Sequence, residues 1–145
     1  MHDRHKPGKI ILLNGASSSG KTTLARALWQ HLEEPFWHFS IDHLREAGVL
    51  PMERIRSGDF DWPSMRPSFF VGVHCSLPEL ERREMARGDR RIGEAREDFR
   101  DIHGFATYDL ELDSTGSLDN NVGNLIASWK ARRRPSAFEK MAAEG

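Results

Sequence analysis

A chain of 145 residues, 38% apolar and 30% charged with a mean hydropathy of -0.61, has room for one hydrophobic core and is too polar for a membrane protein or a long apolar fibre. No run approaches the roughly 20 apolar residues of a membrane span, and no secretory h-region follows Met1-His2-Asp3-Arg4-His5-Lys6, so cytoplasmic residence is the expectation. A net charge of -1 gives no general attraction to nucleic acid, and a single cysteine, Cys75, excludes an internal disulfide.

In chain order, Ile10-Ile11-Leu12-Leu13 is short, continuous and half β-branched, which predicts a strand buried on both faces. It leads into Gly15-Ala16-Ser17-Ser18-Ser19-Gly20-Lys21-Thr22, which fits the pattern G-x-x-x-x-G-K-S/T at every specified position. Leu24, Leu28 and Leu32 then recur at helical spacing. The chemistry needs these residue types. Glycines at 15 and 20 let successive N–H groups turn inward around phosphate oxygens, and the helix that starts near Gly20 points its positive end at the same anion. Lys21 is expected to reach the β- and γ-phosphates, and Thr22 to take a Mg²⁺ position beside them. The nucleotide-binding set is therefore Gly15 to Thr22 together with Thr23. An ordinary Ser/Gly turn is the plainer reading, and a strand before with a helix after argues against it.

Glu33-Glu34-Pro35 ends the helical pattern, and Phe36 to Ile41 reads as a second strand with Asp42 at its carboxyl end. Ligands of open α/β sheets bind outside the carboxyl ends of strands, so Asp42 falls on the rim of the phosphate loop. There it would take a proton from an acceptor hydroxyl or hold a metal water; capping the next helix is the competing role. From Gly48 to Ser68 the chain is broken by Pro51, Gly58, Pro63 and Pro67, with a short helix expected near Met52 to Arg56. Asp59-Phe60-Asp61-Trp62 suits either an acceptor-pocket wall or a cover for the core.

Ser68 to Cys75 is apolar enough for a central strand. Ser76-Leu77-Pro78-Glu79 has the form of a capping box, and its helix should stop at Gly88 in a left-handed conformation. Cys75 reads as a small hydrophobe at the strand end. Arg82, Arg83, Arg87, Arg90 and Arg91 crowd this helix and the Gly88-Asp89 break after it, so a mobile Arg-bearing lid over the phosphates is expected, with a solvated helix as the alternative. A further helix is predicted from Glu94 to His103, stopped by Gly104. Tyr108 to Asp113 alternates like a strand nearer the sheet edge. Leu118, Val122, Leu125, Ile126 and Trp129 share one face of a closing helix capped by Ser117 and stopped by Pro135, with Lys130 to Arg134 suiting its carboxyl-end dipole. Residues 136–145 read as a loose tail, as do residues 1–8, on either side of a single domain.

Taken together, Ile10 to Thr22, Ser40-Ile41-Asp42-His43, Val71-Gly72-Val73-His74-Cys75, Glu81-Arg82-Arg83-Glu84, Ala86-Arg87-Gly88-Asp89-Arg90 and Tyr108 to Ser114 resemble the chloramphenicol phosphotransferase-like proteins, which are P-loop kinases. The resemblance implies an α/β fold with a mostly parallel sheet of about four strands flanked by helices. It also implies transfer of the γ-phosphate of ATP to an acceptor hydroxyl, with Lys21 and Thr22 on ATP and Mg²⁺, Asp42 as general base, and Arg87 and Arg90 in the lid. The catalytic set so implied is Asp42, Lys21, Arg87 and Arg90.

One departure is large. In the family a helix and a strand carrying an acidic pair stand before the Val-Gly-Val strand, whereas here Pro67 is followed at once by Ser68-Phe69-Phe70-Val71. The missing strand would lie between the first two and supply an acidic residue near Mg²⁺. The second strand must then pair with the first directly, leave a gap, or recruit another chain as a homo-oligomer. An active small-molecule kinase is the leading reading. A nucleotide-binding protein without turnover, a defective deletion product and, more distantly, a polynucleotide kinase are the others.

Overall fold

The computed structural model describes residues 9–50, 53, 68–89, 91–104 and 106–144. Three strands form one parallel sheet in the order β1 (Ile10–Asn14), β2 (Ser68–His74), β3 (Leu110–Asp113). Ile10 pairs with Ser68 and Asn14 with Gly72, while Val71 pairs with Leu110 and His74 with Asp113. The three carboxyl ends therefore share one rim. β2 is central, and its first six residues are all buried, as its unbroken apolar run predicts.

Alternation along β2 divides the core between two faces. On one face, Phe69, Val71 and Val73 meet Leu24 and Leu28 of α1 (Lys21–Trp29) and Val122, Leu125 and Trp129 of α5 (Leu118–Ala131). Trp129 takes Phe69 and Phe36 edge-on, with ring centres 5.6 and 5.7 Å away. On the other face, Phe70 packs against Tyr108 and against Phe138 of α6 (Ala137–Glu144). That packing corrects the expectation of a loose tail at 136–145. Asp109 explains it: one carboxylate oxygen accepts from Phe70 N and the other from Ala137 N, each at 2.8 Å, so the start of α6 is tied to the central strand.

The remaining helices are α2 (Ile41–Glu46), α3 (Leu77–Arg87) and α4 (Glu94–Asp101). α3 ends at Gly88 with φ 67°, the left-handed stop expected of it. Ser117 caps α5 by accepting from Asn120 N.

Three sequence expectations need correcting. Phe36 to Ile41 is not a strand, and the sheet has three strands among the described residues where about four were expected. The segment keeps the alternation of a strand, with Phe36, His38 and Ser40 half-buried and Trp37, Phe39 and Ile41 exposed, but no described strand pairs with it. Ser76 starts α3 without a side-chain cap bond, and the Glu79 carboxylate, expected to return to Ser76 N, turns instead to Arg82 and Arg83, at 2.7 Å each. The expected helix near Met52 to Arg56 and the Asp59-to-Trp62 loop lie outside the described residues, apart from Glu53, which is helical. No helix among the described residues is long and apolar enough to cross a membrane.

Candidate active site

The phosphate-loop segment begins where β1 meets β2. A Cβ on Gly15 would lie 2.4 Å from the Val73 carbonyl oxygen, so the chain leaves β1 this close to β2 only through glycine. The left-handed turns fall at Ser18 (φ 65°) and Gly20 (φ 95°) and bend the loop back on itself. α1 then starts at Lys21 with no side-chain cap and no acidic residue in its first turn, which leaves its N-terminal donors and dipole to an anion. Ser17 Oγ and Ser18 Oγ are buried with no hydrogen-bond partner. Such orphans are rare in folded proteins, and oxygen-rich phosphate is a group that satisfies hydroxyl donors.

Lys21 arches over this loop, its Nζ donating to the carbonyls of Gly15 at 2.7 Å and Ala16 at 2.8 Å. Its ammonium is thereby held at the concave side of the segment. Thr22 and Thr23 line the same cavity, of about 1010 Å³, which runs from the loop past β1 to the 36–42 segment.

Asp42 reaches this cavity from the first turn of α2 rather than from the end of a strand. Ser40 performs the capping that Asp42 was a candidate for, accepting from His43 N at 3.2 Å. The Asp42 carboxylate is left half-exposed, 3.7 Å from Arg45. Arg87, at the end of α3, also lines the cavity and makes a two-pronged pair with Asp89 at 3.0 Å. Arg90 lies outside the described residues. Asp42, Lys21, Thr22, Thr23 and Arg87 thus border one space.

One residue of this rim is a lid arginine whose partners the sequence does not show, and a second escapes sequence reasoning. Arg83 donates to Ser114 Oγ at 3.1 Å and Ser114 O at 3.0 Å, with Ser19 O at 3.5 Å, so it joins α3 to the phosphate loop and to the end of β3. Glu79 orients it from one turn earlier, and the guanidinium groups of Arg82 and Arg83 hold the Glu79 carboxyl down to about 2. The sequence places Arg83 among the arginines of the expected lid, with surface patterning by the Glu79/Arg83 spacing as the alternative. The second is Asp98 of α4, whose Oδ2 accepts from Ser17 N at 2.8 Å. No motif signals it: Asp98 is one of four acidic residues on a predicted helix, and nothing in the sequence sets it apart from the others.

A polar network supports the loop from behind. Asn14, the last residue of β1, donates to Ile102 O at 2.9 Å and Tyr108 Oη at 2.8 Å, and His103 Nδ1 meets the same Oη at 2.6 Å. His74 stacks on His103 with ring centres 4.0 Å apart and pairs with Glu111. Burial, reinforced by His74, lowers the His103 pKa, and burial raises that of Tyr108. Among the described residues no group of three or more His, Cys, Asp or Glu side chains could hold a metal ion.

The family model described as chloramphenicol phosphotransferase-like protein matches residues 8–68 and 64–130. The chain belongs to the chloramphenicol phosphotransferase-like family. Two curated proteins from two strains of Mycobacterium tuberculosis, named "Putative O-phosphotransferase Rv2636" and "Putative O-phosphotransferase MT2714", are each 27% identical to it over 197 aligned residues, covering 92% of this chain and 88% of their own length. An alignment of 197 positions exceeds a chain of 145 residues, so these relatives carry a block with no counterpart here. The family match breaks into its two pieces at residues 64–68, where Pro67 runs into β2. The chloramphenicol phosphotransferase-like core is therefore present on both sides of an internal shortening.

Proposed function

We propose that this protein transfers the γ-phosphate of ATP to a hydroxyl group of a small molecule. The observation that carries the reading is the single cavity that joins the phosphate loop and Lys21 to the Asp42 carboxylate. Family membership and the printed names of the mycobacterial relatives support the same reaction class.

The loop amides and the start of α1 bind the phosphates, and the Lys21 ammonium, already held over the loop, neutralises charge between the β- and γ-phosphates. Thr22 is the residue that would hold Mg²⁺, which when bound neutralises phosphate charge. Asp42 accepts the proton of the acceptor hydroxyl. The hydroxyl oxygen forms its bond to γ-phosphorus, the bond from γ-phosphorus to the bridging oxygen breaks, and ADP leaves with that electron pair. Arg87 and Arg90 are the cations for the charge spread over the transferring group, and Arg83 on α3 is a further one next to the loop. Trp37 and Phe39, both exposed, give the far end of the cavity an apolar wall for the body of the acceptor.

The test is γ-labelled ATP with purified protein and a panel of hydroxylated acceptors. Label moves to an acceptor, and Asp42→Asn lowers the rate by about 10²–10⁴-fold, the usual contribution of a positioned general base. Transfer at an unchanged rate in Asp42→Asn removes Asp42 as the base. The internal shortening before β2 favours a second reading, nucleotide binding without turnover; ATP binding with no transfer to any acceptor supports it.

A further inference from the structure

Asp98 places a carboxylate on a backbone donor of the phosphate loop. Its Oδ2 accepts from Ser17 N at 2.8 Å, in a partly buried contact between residues 81 positions apart. Backbone N–H groups of such a loop recognise phosphate oxygens, and a carboxylate oxygen is their nearest side-chain equivalent in charge and geometry. The Ser17 N–H cannot serve both, and the two anions repel each other across so short a distance.

We propose that Asp98 is an internal competitor for the phosphate loop: a nucleotide phosphate takes the Ser17 donor only by displacing the Asp98 carboxylate. This rests on the nucleotide reading above and extends it, because Asp98 does not stand alone. α4 is fastened at its start by Glu84 of α3, which accepts from Gly93 N and Ala95 N at 2.8 Å each. Arg96 and Arg91 add pairs to Glu81 and Glu97. Just past its end, Ile102 O accepts from Asn14. α3 and α4 thus form one unit, and that unit carries Arg83 and Arg87. Exchange of Asp98 for phosphate at Ser17 couples nucleotide binding to the seating of this arginine-bearing pair against the loop, which makes Asp98 a positioning residue rather than a catalytic one.

The direction of the effect separates this role from a structural one. Asp98→Asn and Asp98→Ala in the full chain are titrated calorimetrically with ATP and, separately, with inorganic tripolyphosphate. The account expects both variants to bind both ligands more tightly than the native chain, by about tenfold, and the Asp98 side-chain carboxyl carbon resonance of the native protein to shift as ATP saturates. Asp98→Asn keeps the side-chain shape, so it carries the test if Asp98→Ala fails to fold. Equal or weaker binding by a folded Asp98→Asn overturns the proposal while leaving the nucleotide reading intact. Unchanged ATP affinity with loss of phosphoryl transfer also overturns it and moves Asp98 into the chemistry. Binding of neither ligand by the native chain or the variants defeats the proposal and the nucleotide reading together.

Discussion

Gly72 and Tyr108 show how closely single residues constrain the rim. A Cβ on Gly72 would sit 2.7 Å from the Tyr108 ring, and that ring carries the hydroxyl shared by Asn14 and His103. Gly72→Ala is expected to push the ring off β2 and destabilise the fold by about 1–3 kcal/mol, the usual cost of overpacking; urea unfolding of the two proteins measures it. Asn14 loses its partner in the same step, so ATP affinity should fall as well. At this scale the sequence is legible where function is local. Every loop residue from Gly15 to Thr22 is named by one contiguous pattern. Arg83 was legible as a lid arginine but its link to Ser114 was not, and Asp98 was not legible at all, because Ser114 and Ser17 lie 31 and 81 positions away from them and only the fold brings them together.

Among the elements, the α3–α4 pair depends most on one buried group. Glu84 is 1% exposed, and its carboxylate receives the two N–H groups at the start of α4. Those backbone donors hold its pKa below the ordinary 4.5. A depressed carboxylate contributes stability that is present above the unfolded value and lost as pH falls through the folded one. Glu84→Gln should therefore melt lower than the native chain at about pH 7, with the gap narrowing as pH falls below the ordinary carboxylate value and the native carboxyl protonates; melting curves taken down through that range measure it. An unchanging gap would assign the effect to shape alone. The sequence shows α3 and α4 as separate helices with correct stops at Gly88 and near Gly104. It does not show their fastening, since Glu84 shares the Leu80 face of α3 but its partners, Gly93 N and Ala95 N, reach it only in the fold.

The whole molecule is a chloramphenicol phosphotransferase-like core with an internal block left out. β2, with its continuous apolar run, was legible as the central strand, and α5 as the closing helix. Phe36 to Ile41 has strand-like residues and strand-like alternation, yet a strand forms only by pairing, and the block missing before β2 is where its neighbour would arise. α6, expected as a loose tail, is instead held by Phe138 packing on Phe70 and by Asp109 accepting from Ala137 N. What survives the shortening is the part fixed by local sequence: β1, the phosphate loop and α1, with Lys21 bent over the loop.

Calorimetric titration of Mg²⁺-ATP into the full chain and into Lys21→Ala tests that part directly. The account predicts saturable binding at one site, weakened in Lys21→Ala by about 10- to 100-fold, as loss of a hydrogen bond from a charged group would give. Equal affinity in the two proteins, or no binding by the native chain, would contradict it.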